Sequence, residues 1–333
     1  MGTSNCLNAI MNSGQIQKFL KLYDLTASDL TLNFSGYYKH VVIAKDKVFL
    51  FARNEEAAKR LSRELDIYET LSKHLHEVVA IPKLIERSHD KEVHYYEYGV
   101  VSKISGEEFS RYILKLSDDE LVAFLQKLSV VIASWHNVKT SNFASVLGDS
   151  TEIEYDSFGE KLIRDNDLTS TLAQWRAQIS SYITLSDTQM NKIESALLNL
   201  RKMDDVLIHW DVHEDQILVE SNDNVLQITG VLDWEGAFIG HPVWEFNFAE
   251  WGLEIWQRID RFKLLRQAMW RKYLEERNLS GRINENSLHI FYLVQETIWT
   301  LKQINKSTIN FTGQPFNETM KIYQRYFEEA LSD

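Results

Sequence analysis

The spacing of hydrophobic residues in the first hundred positions predicts a small antiparallel sheet beside one long helix. Three apolar runs have the length and the flanking turns of strands, and they cover residues 30–34, 40–44 and 48–52. Residues 54–77 are polar and helix-forming, with apolar side chains three or four positions apart. Residues 93–104 alternate as a further strand would. We therefore predict a β-rich lobe over residues 1–102.

The remaining chain has mostly helical spacing. Ser117 precedes Glu120 by three positions and an apolar helical stripe follows, so a capped helix should begin here. Further helical patterns cover residues 170–182, 186–202, 243–277, 284–304 and 315–331. Two β runs, 216–219 and 225–232, interrupt them as a hairpin would. We expect an α+β, bilobal arrangement in which residues 103–107 connect the first lobe to a larger, mainly helical lobe over 108–333.

Composition narrows the class of protein. Of 333 residues, 44% are hydrophobic and 25% are charged, as in a soluble globular protein. A single cysteine, Cys6, excludes an intramolecular disulfide and a thiolate zinc site. No apolar run reaches the roughly 18 residues of a membrane span, and the first residues lack a secretory signal pattern. We therefore expect a cytoplasmic protein with no membrane partner. A pI near 5.4 argues against a nucleic-acid partner. The sequence leaves the oligomeric state open.

The negative charge is concentrated in one segment. The formal net charge is −12, and residues 204–260 contain 13 acidic side chains but a single basic one, Arg258. Some of these carboxylates could simply be solvated loop residues. The segment is also rich in tryptophan, phenylalanine and aliphatic residues. Carboxylates beside apolar walls bind divalent cations or cationic ligands, or they titrate abnormally.

Two carboxylates lie at matching ends of the predicted hairpin. Asp211 follows the apolar run 206–208, and Asp233 follows the run 225–232, 22 positions later. Two carboxylates beside one bound group can divide the work of phosphoryl transfer: one accepts a proton from a hydroxyl, and the other holds Mg²⁺ on the phosphates.

The motifs around these residues resemble those of a known family. HWDVHEDQILV, GVLDWEG and GHP follow the order and nearly the spacing of His-Gly-Asp-Leu-His-x-x-Asn-Ile-Leu, Val-Ile-Asp-Trp and Gly-Asp-Pro. That pattern is typical of the aminoglycoside phosphotransferase family of antibiotic and small-molecule kinases, which have a protein-kinase-like fold. The resemblance covers roughly residues 30–260, including the helix with Arg63-Glu64 and the exit Ile104-Ser105-Gly106-Glu107.

The resemblance implies a role for each motif residue. Asp211 would be the catalytic base, and His209 would brace its loop by hydrogen bonds. Asp233 would bind Mg²⁺, joined by Gln216, which occupies the position of the family's metal-binding asparagine. Glu64 would anchor the lysine that holds the nucleotide phosphates.

The nucleotide donor would be ATP or GTP. The resemblance places it beside Ser35 and Gly36 in the turn after the first strand, and beside Lys103 and Ile104 in the connector. The run 48–53 has no lysine where the family carries its phosphate-binding one; Lys47 and Arg53 flank that run, and Lys39 lies on the preceding strand. We also assign Lys39 to the nucleotide site. His241 replaces the family's aspartate in Gly-Asp-Pro.

The acceptor should be a small hydroxylated molecule that carries positive charge. Acidic and indole side chains on the hairpin, the 243–258 helix and the last helices suit such a ligand; they are Glu235, Glu245, Glu250, Trp251 and Glu254. An aminoglycoside or another cationic antibiotic fits, and so does a choline-like or sugar-like metabolite. The alternative for Phe246, Phe248, Ile255 and Trp256 in that helix is an ordinary core face, which we expect for half of them. The alternative to an O-phosphotransferase is a pseudokinase or another nucleotide-binding regulator.

Overall fold

The computed structural model describes residues 7, 9–33, 37–75, 79–147, 157–223 and 225–332. Its contacts divide the chain into two units. Unit 1 comprises residues within 1–107, 141–148 and 217–237, and unit 2 comprises the rest. The first segment of unit 1 ends at residue 107, and two later segments also group with unit 1. The lobes 1–102 and 108–333, joined by 103–107, stay a prediction.

Unit 1 contains the antiparallel sheet that the hydrophobic pattern predicts. Its five strands pair in the order β1-β2-β3-β5-β4. They are β1 (Leu30–Asn33), β2 (Lys39–Ala44), β3 (Lys47–Ala52), β4 (Leu84–Ser88) and β5 (Tyr98–Ser102). Helix α1 (Ser13–Leu22) packs on this sheet through Phe19, whose ring lies 4.9 Å from that of Phe49 and 5.8 Å from that of Phe51. The burial of these apolar side chains forms the core of the small lobe.

Helix α2 (Glu55–Ser72) positions one site residue of unit 1. Asn54 caps it by accepting a hydrogen bond from the Ala57 amide, and acidic residues occupy its first turn, where they complement the helix dipole. A Cβ at Gly99 of β5 would lie 2.5 Å from the Leu65 side chain, so only glycine lets α2 approach the sheet this closely. The short α4 (Ala144–Leu147) contacts α2.

The predicted hairpin consists of β8 (Ile217–Asn222) and β9 (Val225–Val231), with Ile217 opposite Val231. Together with β6 (Glu107–Glu108) they form a three-stranded sheet in the order β6-β8-β9. Gly230 forms a β-bridge with Ala80, and the Thr229 hydroxyl donates to the carbonyl oxygen of Ser105 at 2.7 Å. These contacts join the hairpin to unit 1.

Unit 2 is mainly helical. Its helices are α3 (Asp118–His136), α5 (Ser157–Arg164), α6 (Leu168–Ile179), α7 (Asp187–Leu200), α8 (Leu253–Trp256), α9 (Phe262–Glu276), α10 (Ser287–Leu301) and α11 (Phe316–Leu331). Helix α3 begins at the predicted capping box and packs against α9. Strands β7 (Val206–Ile208) and β10 (Phe238–Gly240) pair antiparallel. No single described helix is long and apolar enough to cross a membrane; one bent pair, Asp118–His136 with Thr140–Leu147, passes the same test by length and composition.

The prediction of one continuous helix over residues 243–277 is wrong. Short 3₁₀ turns at Pro242–Phe246 and Phe248–Glu250 precede α8, and another at Ile259–Arg261 precedes α9. Asn247 interrupts the first part because its backbone is extended and its side chain caps the next turn through the Ala249 amide. Gly252 is also extended, immediately before α8. The acidic and indole residues of this segment therefore do not share one helix face.

Candidate active site

In unit 1, the ammonium group of Lys39 lies among three carboxylates. Its Nζ is 2.6 Å from Glu64 Oε2, 2.7 Å from Asp233 Oδ1 and 3.2 Å from Glu235 Oε2. Lys39 begins β2, Glu64 lies on α2, and Asp233 and Glu235 follow β9. The Tyr68 hydroxyl donates to the other oxygen of Glu64 at 2.6 Å and so fixes that carboxylate. The hairpin, a helix and a strand thus bring the four charges together.

These charges change one another's protonation. Burial opposes the charged form of Lys39, but the surrounding carboxylates outweigh burial and raise its pKa. Burial raises the pKa of Glu235 to about 7, with Asp233 and Glu64 acting in the same direction and Lys39 opposing them. Asp233 has a left-handed backbone, with a φ of 66°. Such strain in a residue other than glycine is common at functional sites.

The same carboxylates suit a divalent cation. Oxygen atoms of Glu64, Asp233 and Glu235 lie within 4.8 Å of one another. They are the hard oxygen donors that Mg²⁺ prefers, and Lys39 balances only part of their negative charge. The metal role of Asp233 stays a prediction. Glu235, which we expected in the acceptor pocket, instead belongs to this cluster.

The other residues predicted to bind the nucleotide are Ser35, Gly36, Lys103 and Ile104. Ser35 and Gly36 lie outside the described residues. The Lys103 amide donates to the carbonyl oxygen of Asp46 at 2.8 Å. Lys103 and Ile104 line a cleft of about 450 Å³ in unit 1, together with residues that include Val79, Ile81 and Thr229. A role for Lys103 and Ile104 in binding the base stays a prediction.

In unit 2, a buried carboxylate fixes the loop that carries the predicted base. Glu245 accepts hydrogen bonds from the backbone amides of His209 at 2.8 Å and Trp210 at 3.3 Å. It also accepts from Trp135 Nε1 at 3.0 Å and is 3.1 Å from His136 Nε2. Despite burial, these donors lower the pKa of Glu245. Our prediction that Glu245 lines the acceptor pocket is wrong, because its side chain is wholly buried and already satisfied.

His209 is buried, as a bracing residue should be, and its Nδ1 accepts a hydrogen bond from the Asp211 amide at 3.2 Å. The Asp211 side chain is 41% exposed, and its Oδ1 lies 3.5 Å from His213 Nε2. Burial disfavours the charged form of His213, but Asp211 and the neighbouring acids raise its pKa. His213 is a site residue that we did not predict; the His-x-Asp-x-His pattern is the signal for it.

Next to this loop, unit 2 contains a cavity of about 440 Å³. Its wall is formed by residues 249–253 and by Trp299, Gln303, Asn310 and Phe311. Two predicted acceptor residues, Glu250 and Trp251, line it. Burial, followed by the charge of Asp211, raises the pKa of Glu250, so the cavity lies within electrostatic reach of the predicted base.

Two more carboxylates, those of Glu214 and Glu254, meet at Gly252, which belongs to the cavity wall. Glu214 is buried, and its Oε1 accepts a hydrogen bond from the Gly252 amide at 2.6 Å. A Cβ at Gly252 would lie 2.4 Å from Glu214 Oε1 and 2.4 Å from Glu254 Oε2. Glu254, the remaining predicted acceptor residue, is therefore beside the wall. Gln216 is half-buried, and its backbone N–H donates to the carbonyl oxygen of His213 at 3.1 Å. The metal role of its side-chain amide stays a prediction.

A sequence model of the phosphotransferase enzyme family matches residues 33–280 of the chain. The chain belongs to this family. It is therefore a kinase-type phosphotransferase, as the motifs predicted. Viomycin phosphotransferase of Streptomyces vinaceus is 25% identical over 215 residues, which cover 62% of this chain and 68% of that protein.

Solved structures of aminoglycoside kinases have the same protein-kinase-like fold as this phosphotransferase. The GDP complex of aminoglycoside 2'-phosphotransferase-IIIa matches with a TM-score of 0.55 at 12% identity, over 96% of this chain and 99% of that one. The streptomycin–ATP–APH(2")-IIa ternary complex matches with a TM-score of 0.54 at 16% identity, over 97% of both chains. The predicted fold class is thus confirmed.

Proposed function

We propose that this phosphotransferase moves the γ-phosphate of ATP or GTP to a hydroxyl group of a cationic, antibiotic-like acceptor. The observation that carries the proposal is the state of Asp211. Its carboxylate is accessible, while the loop beneath it is fixed by the buried Glu245. An accessible carboxylate on a rigid loop is what a general base for a hydroxyl requires.

In this reaction Asp211 accepts the proton as the acceptor oxygen bonds to the γ-phosphorus. The bond from that phosphorus to the β–γ bridging oxygen breaks, and the nucleoside diphosphate leaves. His213 holds the Asp211 carboxylate from one side. Asp233, with Glu235 beside it, would hold Mg²⁺, which neutralises phosphate charge when bound.

The cavity of unit 2 supports a cationic acceptor. Glu250 offers a carboxylate, while Trp299 and Phe311 offer aromatic surface beside it. This combination suits an ammonium or guanidinium group attached to a partly apolar skeleton. The related proteins are named for viomycin and aminoglycosides, which supports an antibiotic acceptor. A single carboxylate in the wall also keeps a choline-like metabolite as a second candidate.

A transfer assay tests the proposal directly. The purified full chain is incubated with Mg²⁺, ATP or GTP, and a panel of aminoglycosides, viomycin-type peptides, choline and sugars. We expect one acceptor class to gain the mass of a phosphoryl group, and the Asp211→Asn variant to give no such product. Tight nucleotide binding without any phosphorylated product would contradict transfer to these acceptors and favour a nucleotide-binding regulator.

A further inference from the structure

The strand that should carry the phosphate-binding lysine ends in alanine. Strand β3 runs from Lys47 to Ala52, and its residues after Lys47 are apolar. Lys47 is at the far end, where its Nζ lies 5.9 Å from the centre of the Tyr23 ring. Arg53 follows the strand, but its Nη1 donates to the carbonyl oxygen of Tyr37 at 3.2 Å. Neither Lys47 nor Arg53 forms a described ion pair with the carboxylate cluster of Glu64, Asp233 and Glu235.

We propose that Lys39, on β2, has taken over the task of the missing β3 lysine and holds the nucleotide phosphates. The inference rests on the proposed transfer of a nucleotide phosphate and goes further by assigning the cation. Lys39 and Ala52 are direct partners in the β2–β3 ladder. Directly opposed residues of antiparallel strands project from the same face, with Cβ atoms about 4.5–5.5 Å apart. A lysine at either position can therefore deliver its ammonium group to one place.

The contacts of Lys39 identify that place. Its Nζ donates to Glu64, the helix carboxylate expected to anchor this lysine, and to Asp233, the carboxylate expected to bind the metal. In the described part of the chain, every ion pair of Glu64, Asp233 and Glu235 is with Lys39. The side chain retains 11% exposure, so a phosphate oxygen can replace one of its carboxylate partners.

The competing explanation is that Lys39 only separates three carboxylates and so stabilises the fold. The two roles differ in what restores function after Lys39 is removed. A phosphate-binding cation can be supplied again from position 52. We therefore compare Lys39→Met with the double variant Lys39→Met/Ala52→Lys, and use Arg53→Ala as a matched control for the loss of a nearby cation.

Calorimetry measures the affinity for Mg²⁺–ATP and Mg²⁺–GTP, and turnover is measured with the acceptor found above. We expect Lys39→Met to weaken nucleotide binding by about 10- to 100-fold, as expected for losing a hydrogen bond between charged groups. The double variant should regain most of this affinity, and Arg53→Ala should bind like the unmodified protein. Unchanged affinity in a folded Lys39→Met variant would overturn the proposal, as would failure of a folded double variant to regain it.

A measurement on the unmodified chain avoids any folding defect. An acyl phosphate of ATP presents its acyl carbon beside the phosphates. Despite its burial, the carboxylates around Lys39 raise its pKa, so the reaction is run at alkaline pH to increase the deprotonated fraction. The deprotonated Nζ attacks that carbon, the acyl carbon–oxygen bond breaks, ATP leaves with the oxygen, and the nitrogen releases its extra proton to solvent. Peptide mass analysis should find the acyl group on Lys39, and excess ATP should prevent it. ATP-protected labelling of a different lysine would refute the assignment.

The two proposals fail differently. If the unmodified chain neither binds nor uses a nucleotide, the proposed function fails. If it binds and transfers while Lys39→Met does so equally well, only the role of Lys39 fails.

Discussion

The acidic residues of the segment 204–260 occupy sharply different environments. Asp211 is accessible, Glu245 is wholly buried with four donors, and Glu235 shares a lysine with two other carboxylates. Burial raises the pKa values of Glu214, Glu235 and Glu250. Abnormal titration is one of the outcomes that we predicted for carboxylates beside apolar walls, and cation binding is the other. Environment, rather than residue type, distinguishes the accessible Asp211, our proposed base, from the buried Glu245 that supports its loop.

Asp211→Asn should remove phosphoryl transfer while leaving nucleotide affinity nearly unchanged. The amide keeps the side-chain shape but cannot take a proton, and base catalysis contributes about 10²–10⁴-fold to a rate. Single-turnover kinetics and nucleotide titration measure the two effects separately. Retention of full activity would exclude Asp211 as the base.

Glu245→Gln tests whether the buried carboxylate positions that base. A glutamine offers one acceptor oxygen to four donors and places its own N–H groups among them, so we expect a loss of about 1–3 kcal/mol in the free energy of unfolding. The turnover number should fall while nucleotide affinity is retained. Glu318→Gln, an exposed change on α11, is the control. A stability loss without any change in turnover would limit Glu245 to a structural role.

Asp233→Ala should weaken Mg²⁺-dependent nucleotide binding and turnover together, since a carboxylate would be lost from the metal's oxygen donors. Gln216→Leu should raise the Mg²⁺ concentration needed for half-maximal turnover if its amide is also a ligand. Mg²⁺ titrations of both variants decide between these residues. An Asp233→Ala variant with the original Mg²⁺ dependence would place the metal elsewhere.

At the scale of elements, His241 can do the structural work of the aspartate whose position it occupies in the family's Gly-Asp-Pro pattern. Its Nδ1 accepts a hydrogen bond from the Val243 amide at 3.3 Å and so caps the turn Pro242–Phe246, as an aspartate oxygen would. Its Nε2 lies 3.0 Å from the carbonyl oxygen of Leu200 and can donate to it. The neutral imidazole thus connects this turn to the end of α7, which a carboxylate could not do.

This arrangement predicts acid sensitivity. Burial lowers the pKa of His241 to about 4 from 6.5; Arg164 and His136 act in the same direction, while the Leu200 carbonyl and Asp205 oppose them. The unfolded chain therefore binds more protons between these values, and stability is lost as the pH falls from about 6.5 towards 4. An asparagine side chain can accept a hydrogen bond from the Val243 amide and donate one to the Leu200 carbonyl, but it does not titrate. In His241→Asn the acid-induced loss in the free energy of unfolding should therefore be smaller, by on the order of 2–3 kcal/mol.

Thermal unfolding across this pH range, compared with the unmodified chain, measures the difference. A buried histidine that does not act on His241, such as His289, contributes equally to both proteins and cancels in the comparison. Identical pH dependence in the variant would show that His241 does not titrate in this way.

For the whole molecule, the charge of −12 should attract cationic acceptors over a distance. The screening length falls from about 30 Å at 0.01 M salt to about 8 Å at 0.15 M. We therefore expect the KM of a polycationic acceptor to rise several-fold over this range, while that of its N-acetylated, uncharged analogue stays nearly constant. Equal salt dependence of the two acceptors would show that charge attraction does not govern acceptor binding.

The sequence alone determined those features of this protein that depend on residues close together in the chain: the secondary structure and the order of the motifs. Hydrophobic periods of two and of three to four residues predicted most strands and most of the long helices. The Ser117–Glu120 box marked the start of α3. Each of these signals lies within a few residues. The order of HWDVHEDQ, LDWEG and GHP identified the family, since the spacing of a hairpin and its flanking loops is itself a chain property.

Only the tertiary structure decided which side chains meet. Lys39 and Asp233 are 194 positions apart, and Trp135 and Glu245 are 110 apart, so no local pattern reports either contact. The β2–β3 register placed Lys39 opposite Ala52, at the end of the strand in which the family pattern predicts a lysine. Burial turned Glu245, a predicted acceptor ligand, into the support of the loop that carries Asp211. These outcomes depend on strand register and on the face that each residue presents, which distant parts of the chain fix together.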